Sequence, residues 1–212
     1  MVHAAVVNGR RRPATEQRLV AAAERLFAEH GVGAVSLRAV MQAAETNVAA
    51  IHYHFGSKEG LLEAVLRSRL DQVSAERQAV LEGLPDGEVS ARELAQAVVR
   101  PVAAVRASGG APWIRLVGRL LATRDPGLNT ISETFFERNA VFVELLARLD
   151  RDASRRTLDF RLAQAMNVTL NVLGDVEQTR GLQGLDAGTW TVDEVVADLI
   201  DVTTSILAGP GS

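Results

Sequence analysis

Residues 36–58 read SLRAVMQAAETNVAAIHYHFGSK, and the fold hangs on how that stretch is parsed. Ser36 can accept a backbone N–H bond as an N-cap, and Leu37, Val40, Met41 and Ala44 recur at helical spacing behind it. A short helix with one apolar side ends near Ala44. Glu45 and Thr46 form a turn, and Asn47 is a second cap, opening a helix whose Val48, Ile51 and Phe55 face the first. Two short helices joined by a tight turn are the grammar of a helix-turn-helix DNA reader.

The small side chains of Ala49 and Ala50 keep the start of the second helix slim enough to enter a major groove about 12 Å wide, although tight core packing also favours alanine. His52, Tyr53 and His54 close that helix. After Gly56, Ser57-Lys58-Glu59 caps a third helix and puts Lys58 in its first turn, where both the helix terminus and the ammonium favour a phosphate. Arg38, Asn47, Ala49, His52, Tyr53, His54 and Lys58 are therefore the expected DNA-facing residues.

The span from about Thr15 to Leu66 resembles the DNA-binding domain of the TetR/AcrR family of bacterial transcriptional regulators. The resemblance rests on four pieces in order: AAAERLFAEHG (21–31), SLRAVMQAA (36–44), a helix ending IHYHF (51–55), and SKEGLLEAV (57–65). Two positions depart from the family pattern. Glu45 and Thr46 stand where a Gly followed by a small apolar residue is usual, and His52 stands where an aromatic is usual.

Charge is distributed accordingly. The 212-residue chain is formally −3, which alone would oppose DNA, but residues 1–70 carry nine basic and six acidic groups, net +3, leaving −6 for the rest. Arg10-Arg11-Arg12 belongs to a flexible basic arm, residues 1–12, that is either simply solvated or lies along DNA when bound. With 47% hydrophobic residues the chain can bury a large core. No apolar run approaches the roughly 20 residues of a membrane span, and the N-terminus lacks the order of a secretory signal, so a cytoplasmic location and no membrane partner are expected. Zero cysteines exclude disulfides and thiolate chemistry.

Beyond Leu66 the pattern is helical, punctuated at 83–87, 108–110, 125–127, 150–154 and 181–188, with capping boxes at Ser90-x-x-Glu93 and Thr191-x-x-Glu194. One long helix is expected over about 155–179 and a last one over 192–207. The fold class is all-α: an N-terminal three-helix helix-turn-helix DNA-binding domain (13–66), a larger C-terminal helical ligand-binding and dimerisation domain (67–208), and a tail (209–212).

Trp113, Phe135, Phe136, Phe142 and Phe160 gather in the middle helices, as ordinary core or as walls of an apolar cavity. The resemblance implies the second, with Trp113, Leu116, Leu120, Phe135, Phe136, Phe142 and Met166 as lining and Arg115, Arg119 or Asn167 for one polar end of a small apolar ligand, an acyl chain or hydrophobic drug. It also implies a homodimer through the last two helices and a palindromic double-stranded operator. Enzymatic signatures are missing. His52 and His54 are two apart and cannot form a helical metal pair, Asp150-x-Asp152-x-Ser154 lacks the Gly and Glu of a calcium loop, and Glu133 with Glu137 reads as a solvated face. No catalytic residue, metal or cofactor is called for. The expected function is a repressor released by its ligand; the alternative is an all-helical carrier of apolar ligands with a non-functional DNA head.

Overall fold

A computed structural model describes residues 11–46, 53–83, 89–123, 125, 140–181 and 190–209. Every regular element among them is a helix: α1 (Arg11–His30), α2 (Leu37–Ala43), α3 (Lys58–Glu82), α4 (Ala91–Ala107), α5 (Ala111–Thr123), α6 (residues 140–149), α7 (Arg155–Gly174), α8 (Val176–Gly181) and α9 (Val192–Ala208). Residues 53–55 are also helical.

The first helix buries Leu19, Ala22, Ala23 and Phe27, one stripe at helical spacing, and stops at Gly31, whose φ of +81° lets its N–H reach the Phe27 carbonyl at 2.9 Å. Arg11 and Arg12, assigned to the arm on sequence, stand inside it. Against it pack Val40 and Met41 of α2 and Leu61, Leu62, Val65 and Leu66 of α3, which together close the core of the N-terminal unit. The same α3 continues without a break into the second core. There α4 packs between α3 and α9, while α5 lies between α1 and α7.

Polar caps set most helix starts. Ser36, Ser57, Ser90, Ser154 and Thr191 each accept from a backbone N–H three residues on, at 3.1–3.2 Å. At Ser90 and Thr191 the glutamate returns the bond to the cap's own N–H at 2.7 Å, so both capping boxes are complete. Those glutamates titrate below their ordinary range because each accepts from its cap's side chain and backbone.

Two expectations need correcting. The helix over 155–179 is in fact two, broken at Asp175 (φ −143°, ψ 76°), whose carboxylate accepts the Gln178 N–H at 3.0 Å and caps α8. Gly174 ends α7 against Arg115: a Cβ there would lie 3.1 Å from Arg115 Cγ. And Phe160, counted with the core aromatics, is 63% exposed on α7. Asn47, Val48, Ala49, Ile51, His52, Phe135 and Phe136 lie outside the described residues.

Candidate nucleic-acid interface and ligand cavity

The turn after α2 is a Schellman motif. The Thr46 N–H bonds the Met41 carbonyl at 3.0 Å and the Glu45 N–H bonds the Gln42 carbonyl at 3.2 Å, the two reverse bonds that satisfy a helix end. The position between them must be left-handed, and Glu45 adopts φ +52°, the one positive φ outside glycine among the described residues. A glutamate thus takes the conformation that usually belongs to glycine, at a local cost of roughly 1–2 kcal/mol. Its carboxylate is exposed.

Of the described residues expected to face DNA, Arg38 and Tyr53 are exposed, Tyr53 by 66%. His54 departs from the expectation. Its side chain is only 12% exposed and its Nδ1 stands 3.8 Å from the Glu16 carboxylate, so it ties the end of the recognition segment to α1. The rings of Tyr53 and Phe55 flank it at 5.3 and 5.9 Å. Lys58 occupies the first helical position of α3 and donates from Nζ to the Gly33 carbonyl at 3.3 Å. With three protons the ammonium can hold that loop and still offer donors outward.

The join between residues 53–55 and α3 is unusually close. Ser57 N–H bonds the Phe55 carbonyl at 2.8 Å, and Gly60 approaches the same oxygen so nearly that a Cβ on it would sit 2.1 Å away. Only glycine fits without moving backbone.

Behind this unit lies a cavity of about 40 Å³, a few waters' worth of free space. Leu70, Val73, Ser74 and Arg77 of α3 form one wall, Val98 and Val102 of α4 a second, Trp113 and Val117 of α5 a third, and Met166, Thr169 and Leu170 of α7 the fourth. Trp113 and Met166 were expected there. Leu116, Leu120 and Phe142 are buried in the core but do not line it, and Arg115 and Asn167 are exposed. The polar groups of the wall are instead Ser74, Arg77 and Thr169. Sequence reasoning missed the α3 wall, though Leu70, Val73, Ser74 and Arg77 follow the i, i+3, i+4, i+7 pattern of one helix stripe.

Several side chains bind the two units together. Trp113 donates from Nε1 to the Val65 and Leu66 carbonyls of α3, at 3.1 Å each. Arg119, expected in the cavity, reaches the carbonyls of Ala28 and Glu29 at the end of α1, both at 3.4 Å. Arg69 meets the buried Glu24 of α1 at 3.5 Å and also the Ser108 hydroxyl at 3.2 Å. Burial pushes the Glu24 carboxyl above its ordinary range, and Arg69 offsets only part of that. Among the described residues no group of His, Asp or Glu could hold a metal, and no helix is long and apolar enough to cross a membrane.

Two family models match the chain: that of bacterial regulatory proteins of the tetR family over residues 19–65, and that of the tetracyclin repressor-like C-terminal domain over residues 96–205. A comparison with curated proteins finds no match. Among solved structures the fold is similar to the probable transcriptional regulatory protein RHA5900 (22% identity, TM-score 0.61, 92% of this chain and 100% of that one). It is also similar to AmtR of Mycobacterium smegmatis (18%, 0.59, 93% and 87%) and to the ketosteroid transcriptional regulator KstR2 of Mycobacterium tuberculosis (17%, 0.57, 95% and 96%). With one model on the helix-turn-helix unit and the other spanning more than half of the sequence, the chain belongs to the TetR family of bacterial transcriptional regulators.

Proposed function

We propose that this regulator is a homodimeric repressor that holds a palindromic operator and lets go when a small, largely apolar ligand fills the cavity. The observation that carries this reading is the continuity of α3: one 25-residue helix begins at the DNA-facing Lys58 and supplies a wall of the cavity at Leu70, Val73, Ser74 and Arg77. A ligand that pushes on that wall acts on the helix that bears the head. Because coupling is reciprocal, operator DNA then weakens ligand binding by the same factor.

In this reading the unit from α1 to residue 66 reads DNA and residues 67–208 bind ligand and pair, with the residues ahead of α1 as a basic arm and 209–212 as a tail. Arg38 and Tyr53 join Lys58 at the groove, with Asn47, Ala49 and His52 presented by the recognition helix, and the protein acts in the cytoplasm, where its operator is. Pairing through α7 and α9 is supported by their large apolar side chains left in solvent, Phe160 at 63% and Val202 at 50% exposure. A two-fold axis there sets half-sites in successive major grooves.

The test is selection of bound sequences from a random duplex pool by the full-length protein. Recovery of a palindrome supports DNA reading, dimer symmetry and half-site spacing together. The rival reading, a helical carrier with a silent head, draws on Glu45, which puts negative charge and a strained turn at the DNA-facing side. It predicts no enrichment and no salt-dependent binding to duplex DNA.

A further inference from the structure

The turn at 108–110 joins two walls of the cavity. α4 ends at Ala107 after placing Val98 and Val102 on the wall, and α5 begins at Ala111 and places Trp113 and Val117 there. A body that parts those walls displaces the turn between them. That turn is built around Arg69, the α3 residue next to Leu70 of the first wall. Arg69 donates from Nη1 to the Ser108 hydroxyl at 3.2 Å and to the Ser108 carbonyl at 3.4 Å. For its own one proton the hydroxyl has the Val105 carbonyl at 2.9 Å and Gln72 Oε1 at 3.3 Å, so it is held from α4 and from α3. Gly110 completes the enclosure: a Cβ there would lie 2.5 Å from Val105 Cγ1 and 3.0 Å from Arg69 Nε. Any side chain at this position would push the turn off the guanidinium.

The other edge of the same guanidinium reaches the head, where Nε stands 3.5 Å from the carboxylate of Glu24 on α1. Glu24 is buried, and the exposed Arg25 beside it adds a weaker attraction than Arg69 does. A buried carboxylate forfeits hydration that a hydrocarbon side chain would never have needed; what it supplies is a directional hold on Arg69.

From this arrangement we infer that Arg69 is a positioning residue, a bridge through which the α4–α5 turn sets the pose of α1, so that parting of the cavity walls reaches the head through Glu24. The inference rests on the repressor reading and deepens it by naming the side chain that carries the signal. Trp113 braces α3 at Val65 and Leu66, between the cavity wall and Lys58. A push on the α3 wall therefore pivots about that brace, and where α1 goes depends on what Arg69 holds. The bridge also breaks easily. Its contacts at 3.4 and 3.5 Å already stand at the outer limit of hydrogen bonding, so a displacement of about 1 Å at the turn separates one end. Glu24 is then left without its partner, which gives the network two distinct arrangements and not a graded one.

The test forces the walls apart without a ligand, by Val117→Phe in the full-length protein, and reads affinity for the selected operator by fluorescence anisotropy. Val117→Phe is expected to weaken operator binding about tenfold in the wild-type background and about twofold or less in Arg69→Gln, a coupling of the size found for side chains in one network. Arg69→Lys keeps the charge but loses the fork that spans Glu24 and Ser108, so it should melt closer to the wild type than Arg69→Gln while transmitting no better. Equal weakening by Val117→Phe in the wild-type and Arg69→Gln backgrounds overturns the inference, as does full transmission by Arg69→Lys. Where Val117→Phe does not fold, Val102→Leu replaces it, and where Arg69→Gln does not fold, Glu24→Met cuts the other end of the bridge. Hydrogen exchange of the α1 amides, measured on the same variants without DNA, separates the two readings. Faster exchange on forcing the walls, lost with Arg69→Gln, keeps the bridge even in a protein that selects no DNA, and then only the repressor is removed. A recovered palindrome with no Arg69 dependence in either measurement keeps the repressor and removes the bridge.

Discussion

Replacing Glu45 by glycine should make this protein more stable even though it deletes a side chain and creates no contact. In the present turn Glu45 holds φ +52° because the Schellman bonds from Glu45 and Thr46 to the end of α2 leave no other conformation. Relief of the left-handed strain returns roughly 1–2 kcal/mol. Glycine's greater freedom in the unfolded chain takes back roughly 0.4–1 kcal/mol. The net gain is about 0.5–1 kcal/mol, which for a chain of this length raises Tm by roughly 1–4 °C. Thermal melts at matched protein concentration read it, since an oligomer's Tm depends on concentration. The control is Glu45→Gln, which removes the charge but keeps the Cβ. Both variants should bind random duplex DNA more tightly than the wild type, because each removes one anion from the DNA-facing side. Only glycine should melt higher. A Glu45→Gly protein no more stable than Glu45→Gln would refute the claim that backbone strain resides at this turn.

Four further outcomes follow from the same geometry. Gly60→Ala places a Cβ 2.1 Å from the Phe55 carbonyl, so the join between the recognition segment and α3 must open; a stability loss of roughly 1–3 kcal/mol and a larger loss of operator binding are expected, by melting and by fluorescence anisotropy. Lys58→Ala should weaken binding to all sequences and reduce the salt slope by about one unit, whereas Arg38→Ala should relax preference at particular bases; equal effects on random and selected DNA would contradict those roles. Trp113→Phe removes the donor shared by the Val65 and Leu66 carbonyls, which keep their helix environment, and should cost about 1 kcal/mol in denaturant unfolding. On acidification, Glu93 and Glu194, whose folded pKa values lie below 4.5, contribute stability that is present above that value and lost as pH falls through the lowered ones. Glu24, raised by burial, has the opposite sign: its contribution is present below 4.5 and lost as pH climbs through its raised value, so Glu24→Gln should flatten the pH dependence on that side while the double variant Glu93→Gln, Glu194→Gln flattens it on the other.

What could be read from sequence was what depends on neighbours a few residues away. Ser36, Ser57, Ser90 and Thr191 announce their helices because a cap and its N–H are three residues apart, and α5 starts after the 108–110 break and ends at Thr123, just ahead of the break expected at 125–127. The turn residue Glu45 was marked by its departure from the usual glycine, and that position is the strained one. The misreadings have a common cause. Phe160 looks like core and stands in solvent, and the α3 wall with its buried Arg77 went unread, because which face of α3 or α7 is covered depends on helices distant in sequence. The break at Asp175 was available locally, since Asp175-x-x-Gln178 is itself a helix-start pattern, but the continuous apolar spacing of 158–173 masked it. His54 turned inward because Glu16, some forty residues earlier, waits on α1.

The uninterrupted α3 also bears on how the molecule comes apart. Leu61, Leu62, Val65 and Leu66 belong to one core and Leu70 and Val73 to the next, so the boundary at residue 66 falls inside a helix and not in a linker. Arg119 clasps the end of α1 from the far side of that boundary, and Trp113 holds carbonyls just before it. Severing the chain there would leave four orphan carbonyls at a frayed end and strip the first core of both clasps. Head and body should therefore melt as a single cooperative unit, with calorimetric and van't Hoff enthalpies in agreement for each folding unit, and a chain cut at residue 66 should yield an N-terminal piece that does not hold its fold alone.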